Sequence, residues 1–154
     1  MAKEAALRGA KVICITTEAE NAPDILGVEI IETETAEDMY KSVMDNASRA
    51  DWIFMSAAVA DFRPKQIASQ KIKKEEGLSE IALEPTVDIL HALSKVRKES
   101  QMIIGFAAET NDLVANAEKK LENKNLDFII ANDVSKPDVG FGHDTNSVSV
   151  IGRN

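Results

Sequence analysis

The chain has 154 residues, 44% hydrophobic and 29% charged, with 26 acidic against 18 basic residues and a net charge of -8. This is the make-up of one globular domain with a proper core, and its acidity argues against general binding to nucleic acid or anionic membrane. A single cysteine, Cys14, excludes an internal disulfide and fits a reducing compartment; no apolar run approaches the roughly 18 residues of a membrane span, so a cytoplasmic protein is expected.

Met1–Arg8 reads as a helix closed by Gly9. Lys11–Thr16 (KVICIT) is a β-branched buried strand, in which Cys14 is expected buried and inert, and Val28–Glu32 (VEIIE) is a second strand. Thr35 opens a helix running to about Ala50, with Asp38 three residues on to complete a cap and Met39, Val43 and Met44 facing inward. Asp51–Ser56, built on Trp52-Ile53-Phe54-Met55, reads as a buried strand. Lys71–Lys73 and Ser79–Leu83 alternate around Gly77 as a hairpin would. Asp88–Glu99 follows Pro85-Thr86 as a helix, with Ile89, Leu90, Leu93 and Val96 inward. Then come a strand (Gln101–Ala107), a helix (Asn111–Lys124), a strand (Leu126–Ala131) and a last strand (Ser147–Ile151).

Alternating strands and helices with continuous apolar strands mean an α/β fold: a doubly wound, mostly parallel Rossmann-like sheet covered on both faces. Ligands in such sheets bind at the C-terminal ends of strands. Three such ends carry unusual residues: Ala57–Asp61, Phe106–Thr110 and Asn132–Ser135. The segment 62–84 breaks the alternation as an insertion, and it carries Arg63, Lys65, Lys71, Lys73 and Lys74. Basic residues so concentrated in an acidic chain, after small residues and one carboxylate, point to a phosphorylated ligand. A doubly wound domain ordinarily opens on a strand and a glycine-rich phosphate loop; this sequence opens in a helix, so both are expected upstream of Met1 in a larger protein.

Six blocks in order carry a family resemblance: Ser56–Arg63 (SAAVADFR), Lys71–Lys74 (KIKK), Gly105–Thr110 (GFAAET), Lys124–Asp127 (KNLD), Ala131–Ser135 (ANDVS) and Gly140–Asn146 (GFGHDTN). With them the chain resembles phosphopantothenate–cysteine ligase, the domain often fused behind a flavin-dependent decarboxylase in bacteria. The resemblance implies a ligase of coenzyme A synthesis. The carboxylate of phosphopantothenate attacks the α-phosphate of CTP to give an acyl-cytidylate and pyrophosphate. The amine of cysteine then displaces CMP. A divalent cation, normally magnesium, accompanies the nucleotide; the bacterial type uses CTP and the eukaryotic type can use ATP. No flavin is expected on this chain.

Charge develops on phosphoryl oxygens in that reaction, so positioning and positive charge carry it. The resemblance makes Lys71 the catalytic lysine and a nucleotide contact; read alone it is an exposed strand-edge lysine that discourages aggregation. It gives Asp61 to the nucleotide, through the cation or the ribose, where the residue alone fits a turn-forming Asp equally well. Ala57 is placed by the nucleotide and Ala58 by phosphopantothenate, against a reading as close packing. Phe106 is placed on the nucleotide, against a core aromatic. Lys120 and Lys124 are assigned to the triphosphate, against a solvated helix face. Pro85, Thr86 and Val87 match the turn near the cytosine, although the family often has Asn-Pro where this chain has Thr-Val. Asn132 and Asp133 either touch phosphopantothenate or shape their loop. The resemblance also implies a homodimer, and the inserted hairpin's Ile72, Leu78, Ile81 and Leu83 need a surface to bury them.

Other residues point elsewhere less well. His91 has no second ligand nearby, and His143 with Asp144 lacks zinc spacing. Beyond Phe62 no aromatic interleaves the basic cluster, which argues against RNA. Tyr40 has no lysine four residues on, which counts against a short-chain dehydrogenase. Two other readings stay open: a module that holds CTP without turnover, and an unrelated dinucleotide-binding protein.

Overall fold

The computed structural model describes residues 1–66, 68, 70, 72, 80–109, 112–133 and 147–153. They form two units, Met1–Ser42 with Ala58–Asp88, and Val43–Ala57 with Ile89–Asn154. The division falls inside one helix.

In the first unit, α1 (Ala2–Leu7) leads into β1 (Val12–Thr16), which pairs in parallel with β2 (Val28–Glu32), Val12 opposite Val28 and Thr16 opposite Glu32. Gly9 is the residue that stops α1. It sits at φ +91, a left-handed conformation that glycine adopts without penalty. Its amide donates to Ala6 at 2.9 Å and that of Ala10 donates to Ala5 at 3.1 Å, the paired bonds of a Schellman turn. A 3-10 turn (Ala19–Asn21) follows β1. Every residue of β1 is half-buried, Cys14 among them, because a two-stranded sheet cannot enclose a strand as the apolar run led one to expect. Thr33, by contrast, is buried, and both its amide and its hydroxyl donate to the Thr16 carbonyl. Helix α2 (Ala36–Ala47) starts on a reciprocal cap: the Asp38 amide donates to Thr35 Oγ1 at 3.1 Å, and the Thr35 amide donates to Asp38 Oδ2 at 3.2 Å. Two short antiparallel strands, β4 (Phe62–Pro64) and β5 (Leu83–Pro85), complete the unit.

Among the described residues, the second unit contains a four-stranded sheet in the order β3 (Trp52–Met55), β6 (Met102–Glu109), β7 (Phe128–Asp133), β8 (Val148–Gly152). The first three run parallel and β8 is antiparallel to β7. Helix α3 (Ile89–Val96) precedes β6, and α4 (Leu113–Asn123) crosses from β6 to β7 and packs on β7. The core is Leu93, Ile103, Leu126 and Ile129, all fully buried, with Ala117 and Ala131 between helix and sheet. A Cβ on Gly105 would lie 2.5 Å from Cδ1 of Leu126, so the glycine lets that leucine rest on the strand. Asn125 takes the left-handed position after α4, at φ +53, and Leu126 donates back to Leu121 at 3.0 Å. Leu121 and Leu126 are both buried, the hydrophobic contact that accompanies this turn.

These strands differ from the sequence expectation in two ways. Trp52 and Phe54, which share one face of β3, are 60% and 46% exposed while Ile53 and Met55 on the other face are half-buried, and β3 is a rim strand that pairs with β6 alone among the described residues. A continuous apolar run does not distinguish a rim strand from a central one. Strand β6 also runs on through Ala107, Ala108 and Glu109, so Phe106 is mid-strand, opposite Ile130, and not at a strand end. The expected hairpin of Lys71–Lys73 with Ser79–Leu83 falls largely outside the described residues. The pairing that is described, β4 with β5, lies closer to the ends of the insertion.

Candidate functional site

In the first unit the candidate residues gather around the β4–β5 ladder. Phe62 faces Pro85, Arg63 faces Glu84 and Pro64 faces Leu83. The Lys65 amide donates to Ala82 at 2.9 Å and the Thr86 amide donates to Asp61 at 2.9 Å, so hydrogen-bonded pairs alternate along the ladder. Both prolines fall at the pairs between, where no amide is needed. Arg63 Nε donates to Glu84 Oε1 at 2.8 Å, with Glu37 Oε2 at 3.9 Å from the same guanidinium. Asp61 and Ala58 are exposed, and Pro85 and Val87 are exposed beside a half-buried Thr86. Thr86 Oγ1 donates to the Ala60 carbonyl. This ladder brings Asp61 beside Pro85-Thr86-Val87.

In the second unit Ala57 is exposed just beyond β3. Phe106 is half-buried, and its carbonyl accepts the Lys120 ammonium at 2.8 Å. That bond carries Lys120 from α4 down onto β6. Lys124 is the C-cap residue of α4, past its last helical turn. Asn132 and Asp133 are the last two residues of β7. The Asn132 side-chain oxygen is buried with no hydrogen-bond partner among the described residues. An orphaned acceptor of this kind is costly unless a donor meets it.

Lys71 lies outside the described residues, as do most of KIKK, Thr110, Val134 and Ser135, and the block Gly140–Asn146. Of the hairpin's apolar residues, Ile72, Ile81 and Leu83 are described and exposed. Among the described residues no three His, Cys, Asp or Glu side chains gather to hold a metal ion. The single carboxylate of Asp61 suits a magnesium ion that arrives on a nucleotide, since that ion takes one or two protein carboxylates beside phosphates and water. No described helix is long and apolar enough to cross a membrane.

Sequence reasoning missed three anchors. Thr86 ties down the backbone on either side of Asp61, and a threonine in a turn is the only prior sign of such a bond. Arg63 with Glu84 had no visible signal, because their pairing depends on a register fixed across the insertion. Arg97 with Asp127 was equally hidden: Asp127 closes the KNLD block, yet it accepts from Arg97 and from the Ile103 amide, each at 2.7 Å.

Comparison with known proteins places the whole. The chain matches, over residues 1–154, the family described as DNA/pantothenate metabolism flavoprotein C-terminal domain. It is 43% identical over 152 residues to the Coenzyme A biosynthesis bifunctional protein CoaBC of Bacillus subtilis (strain 168), covering 98% of this chain and 37% of that protein. It is 37% identical over 153 residues to a Cysteine/Cysteine sulfinic acid decarboxylase of an unknown prokaryotic organism, covering 99% of this chain and 43% of that protein. The chain thus spans about two-fifths of the length of these curated relatives. Among solved structures, the crystal structure of the C-terminal domain of the Coenzyme A biosynthesis bifunctional protein CoaBC aligns with a TM-score of 0.75 and 34% identity, over 99% of this chain and 65% of that one. A family match over every residue, six motifs in order and a common α/β fold agree: the chain belongs to the DNA/pantothenate metabolism flavoprotein C-terminal domain family.

Proposed function

We propose that the chain acts as the ligase domain of coenzyme A synthesis, joining phosphopantothenate to cysteine at the expense of CTP. The observation that carries this reading is the family match over residues 1–154, together with the motifs of the ligase in order along the chain. The phosphopantothenate carboxylate attacks the α-phosphate of CTP, the bond to pyrophosphate breaks, and an acyl-cytidylate forms. The cysteine amine then attacks the acyl carbon and CMP leaves.

Lys71 supplies positive charge to the phosphoryl oxygens as charge develops on them. Asp61 receives the nucleotide through its ribose or its magnesium ion, which neutralises phosphate charge when bound. Lys120 and Lys124 offer positive charge to the triphosphate. Ala57, with only a methyl group for a side chain, admits the nucleotide to the backbone, and Phe106 packs against it. Pro85, Thr86 and Val87 form the turn beside the base. Ala58 admits phosphopantothenate. Asn132, whose buried side-chain oxygen has no partner among the described residues, offers an acceptor to a donor on that substrate, with Asp133 next to it in the chain.

The protein works as a cytoplasmic homodimer. Exposed Ile72, Ile81 and Leu83 support this, since a partner subunit would cover them. The domain operates beside a flavin-dependent decarboxylase domain, and the flavin belongs to that domain. Neither nucleic acid nor membrane is a partner.

The test is pyrophosphate release by this chain with CTP, magnesium and phosphopantothenate, before cysteine is added. Release, followed by amide formation on adding cysteine, would bear out the ligase reading for this chain on its own. Thermal stabilisation by CTP with magnesium but no release would identify a nucleotide-holding module whose chemistry depends on the glycine-rich loop expected upstream of Met1. Stabilisation by a nicotinamide cofactor and not by CTP would sink the ligase reading.

A further inference from the structure

Thr86 spends both of its donors on two successive carbonyls. Its hydroxyl donates to Ala60 and its amide donates to Asp61, the latter at 2.9 Å. The Ala60 carbonyl belongs to the peptide plane before Asp61, and the Asp61 carbonyl belongs to the plane after it. Peptide units are rigid planes, so holding both leaves the Asp61 backbone dihedrals little freedom. The direction in which the Asp61 side chain leaves the backbone is then set by Thr86.

The ladder explains how Thr86 comes to this position. Pro85 pairs with Phe62 at a position that needs no amide, and the next residue resumes hydrogen bonding opposite Asp61. The cross-strand pair of Arg63 with Glu84, at 2.8 Å, holds the same register one hydrogen-bonded position further in. Asp61 itself is exposed, outside any described helix or strand, and would otherwise sample several backbone conformations.

We infer that Thr86 is a positioning residue that orients the Asp61 carboxylate toward the nucleotide by pinning the peptide planes on both sides of it. This rests on the reading of Asp61 as a nucleotide-binding carboxylate. It revises the role that the family pattern gives to this turn. The hydroxyl of Thr86 is committed to the backbone, so its effect on the nucleotide passes through Asp61 and not through a contact with the base.

The experiment is calorimetric titration of the full chain with CTP and magnesium, for wild type, Thr86→Val, Thr86→Ser, Asp61→Asn and the Thr86→Val/Asp61→Asn double variant. Circular dichroism and melting temperature report the fold, and Thr86→Ala replaces Thr86→Val if the latter does not fold. Thr86→Val is expected to weaken binding about tenfold, the scale of one lost hydrogen bond. Thr86→Ser, which keeps the hydroxyl, is expected to restore it. In the Asp61→Asn background Thr86→Val should add nothing, a non-additivity that a general loss of stability would not produce. Losses that add in the double variant would overturn the inference, because Thr86 would then act independently of Asp61. Unchanged binding by Thr86→Val beside weakened binding by Asp61→Asn would overturn it while leaving the Asp61 reading intact. Wild-type binding by Asp61→Asn would remove that reading, and the inference with it.

Discussion

The Arg97 guanidinium meets the Asp127 carboxylate at 2.7 Å, and the same carboxylate oxygen accepts the Ile103 amide at 2.7 Å. Arg97 also donates to the carbonyls of Gln101 and Asn125. One side chain beyond the end of α3 therefore gathers the segments that enter β6 and β7. The two partners keep only 14% and 25% of their side-chain surface exposed, so solvent screens them weakly. Asp127→Ala should cost about 2–4 kcal/mol, since it strands both a cation and an amide. Urea denaturation would measure it, and the loss should persist in high salt. A loss below about 0.5 kcal/mol would mean that the pair adds little to the fold.

Gly105 offers a second test of the core. Gly105→Ala places a methyl group 2.5 Å from Leu126 Cδ1, and Leu126 is fully buried with little room to retreat. Overpacking of this kind costs about 1–3 kcal/mol. The melting temperature should fall, and Gly105→Ala combined with Leu126→Ala should recover part of the strain term. Equal melting temperatures for Gly105→Ala and wild type would contradict the packing described.

Asn125 holds a left-handed backbone at φ +53. Its side chain also accepts from Arg153 in an exposed bond. Asn125→Gly should stay within about 0.5 kcal/mol of wild type, because glycine relieves the backbone while losing only that surface contact. Asn125→Val should cost about 1–2 kcal/mol, since a branched side chain resists this conformation. Chemical denaturation of the two variants in parallel separates the backbone effect from the side-chain effect.

In the intact protein, Lys71→Gln should abolish ligation and leave the fold unchanged. The substitution removes the charge and keeps a side chain of similar length. Pyrophosphate release and the circular dichroism spectrum are the two readouts. Normal turnover by this variant would refute the catalytic role.

The apolar runs were legible as strands: Val12–Thr16, Val28–Glu32 and Phe128–Asp133 lie within two residues of where the pattern put them, although Ile30 of the second is exposed. The Thr35–Asp38 cap was legible because its partners are close in sequence. The β4–β5 ladder was not. Three-residue strands carry no period, and Pro64 and Pro85 read as breakers until the pairing shows that neither owes the ladder an amide. For the candidate site, it was the family resemblance that named Asp61, Thr86 and Lys120, and only coordinates show what the last two touch. Lys120 reaches a carbonyl fourteen residues back, and Thr86 reaches one twenty-six residues back. Such pairings depend on the path of the chain between, which local pattern does not encode.

The bond from Lys65 to Ala82 has a consequence for how this protein could diverge. The two ends of the intervening segment are held side by side, so its length is uncoupled from the path of the chain from β3 to α3. Closure entropy grows only logarithmically, and doubling such a loop costs about 0.6 kcal/mol. The segment that contains Lys71 can therefore be lengthened, shortened or exchanged as a cassette, with little disturbance to Asp61 and Thr86 at its base.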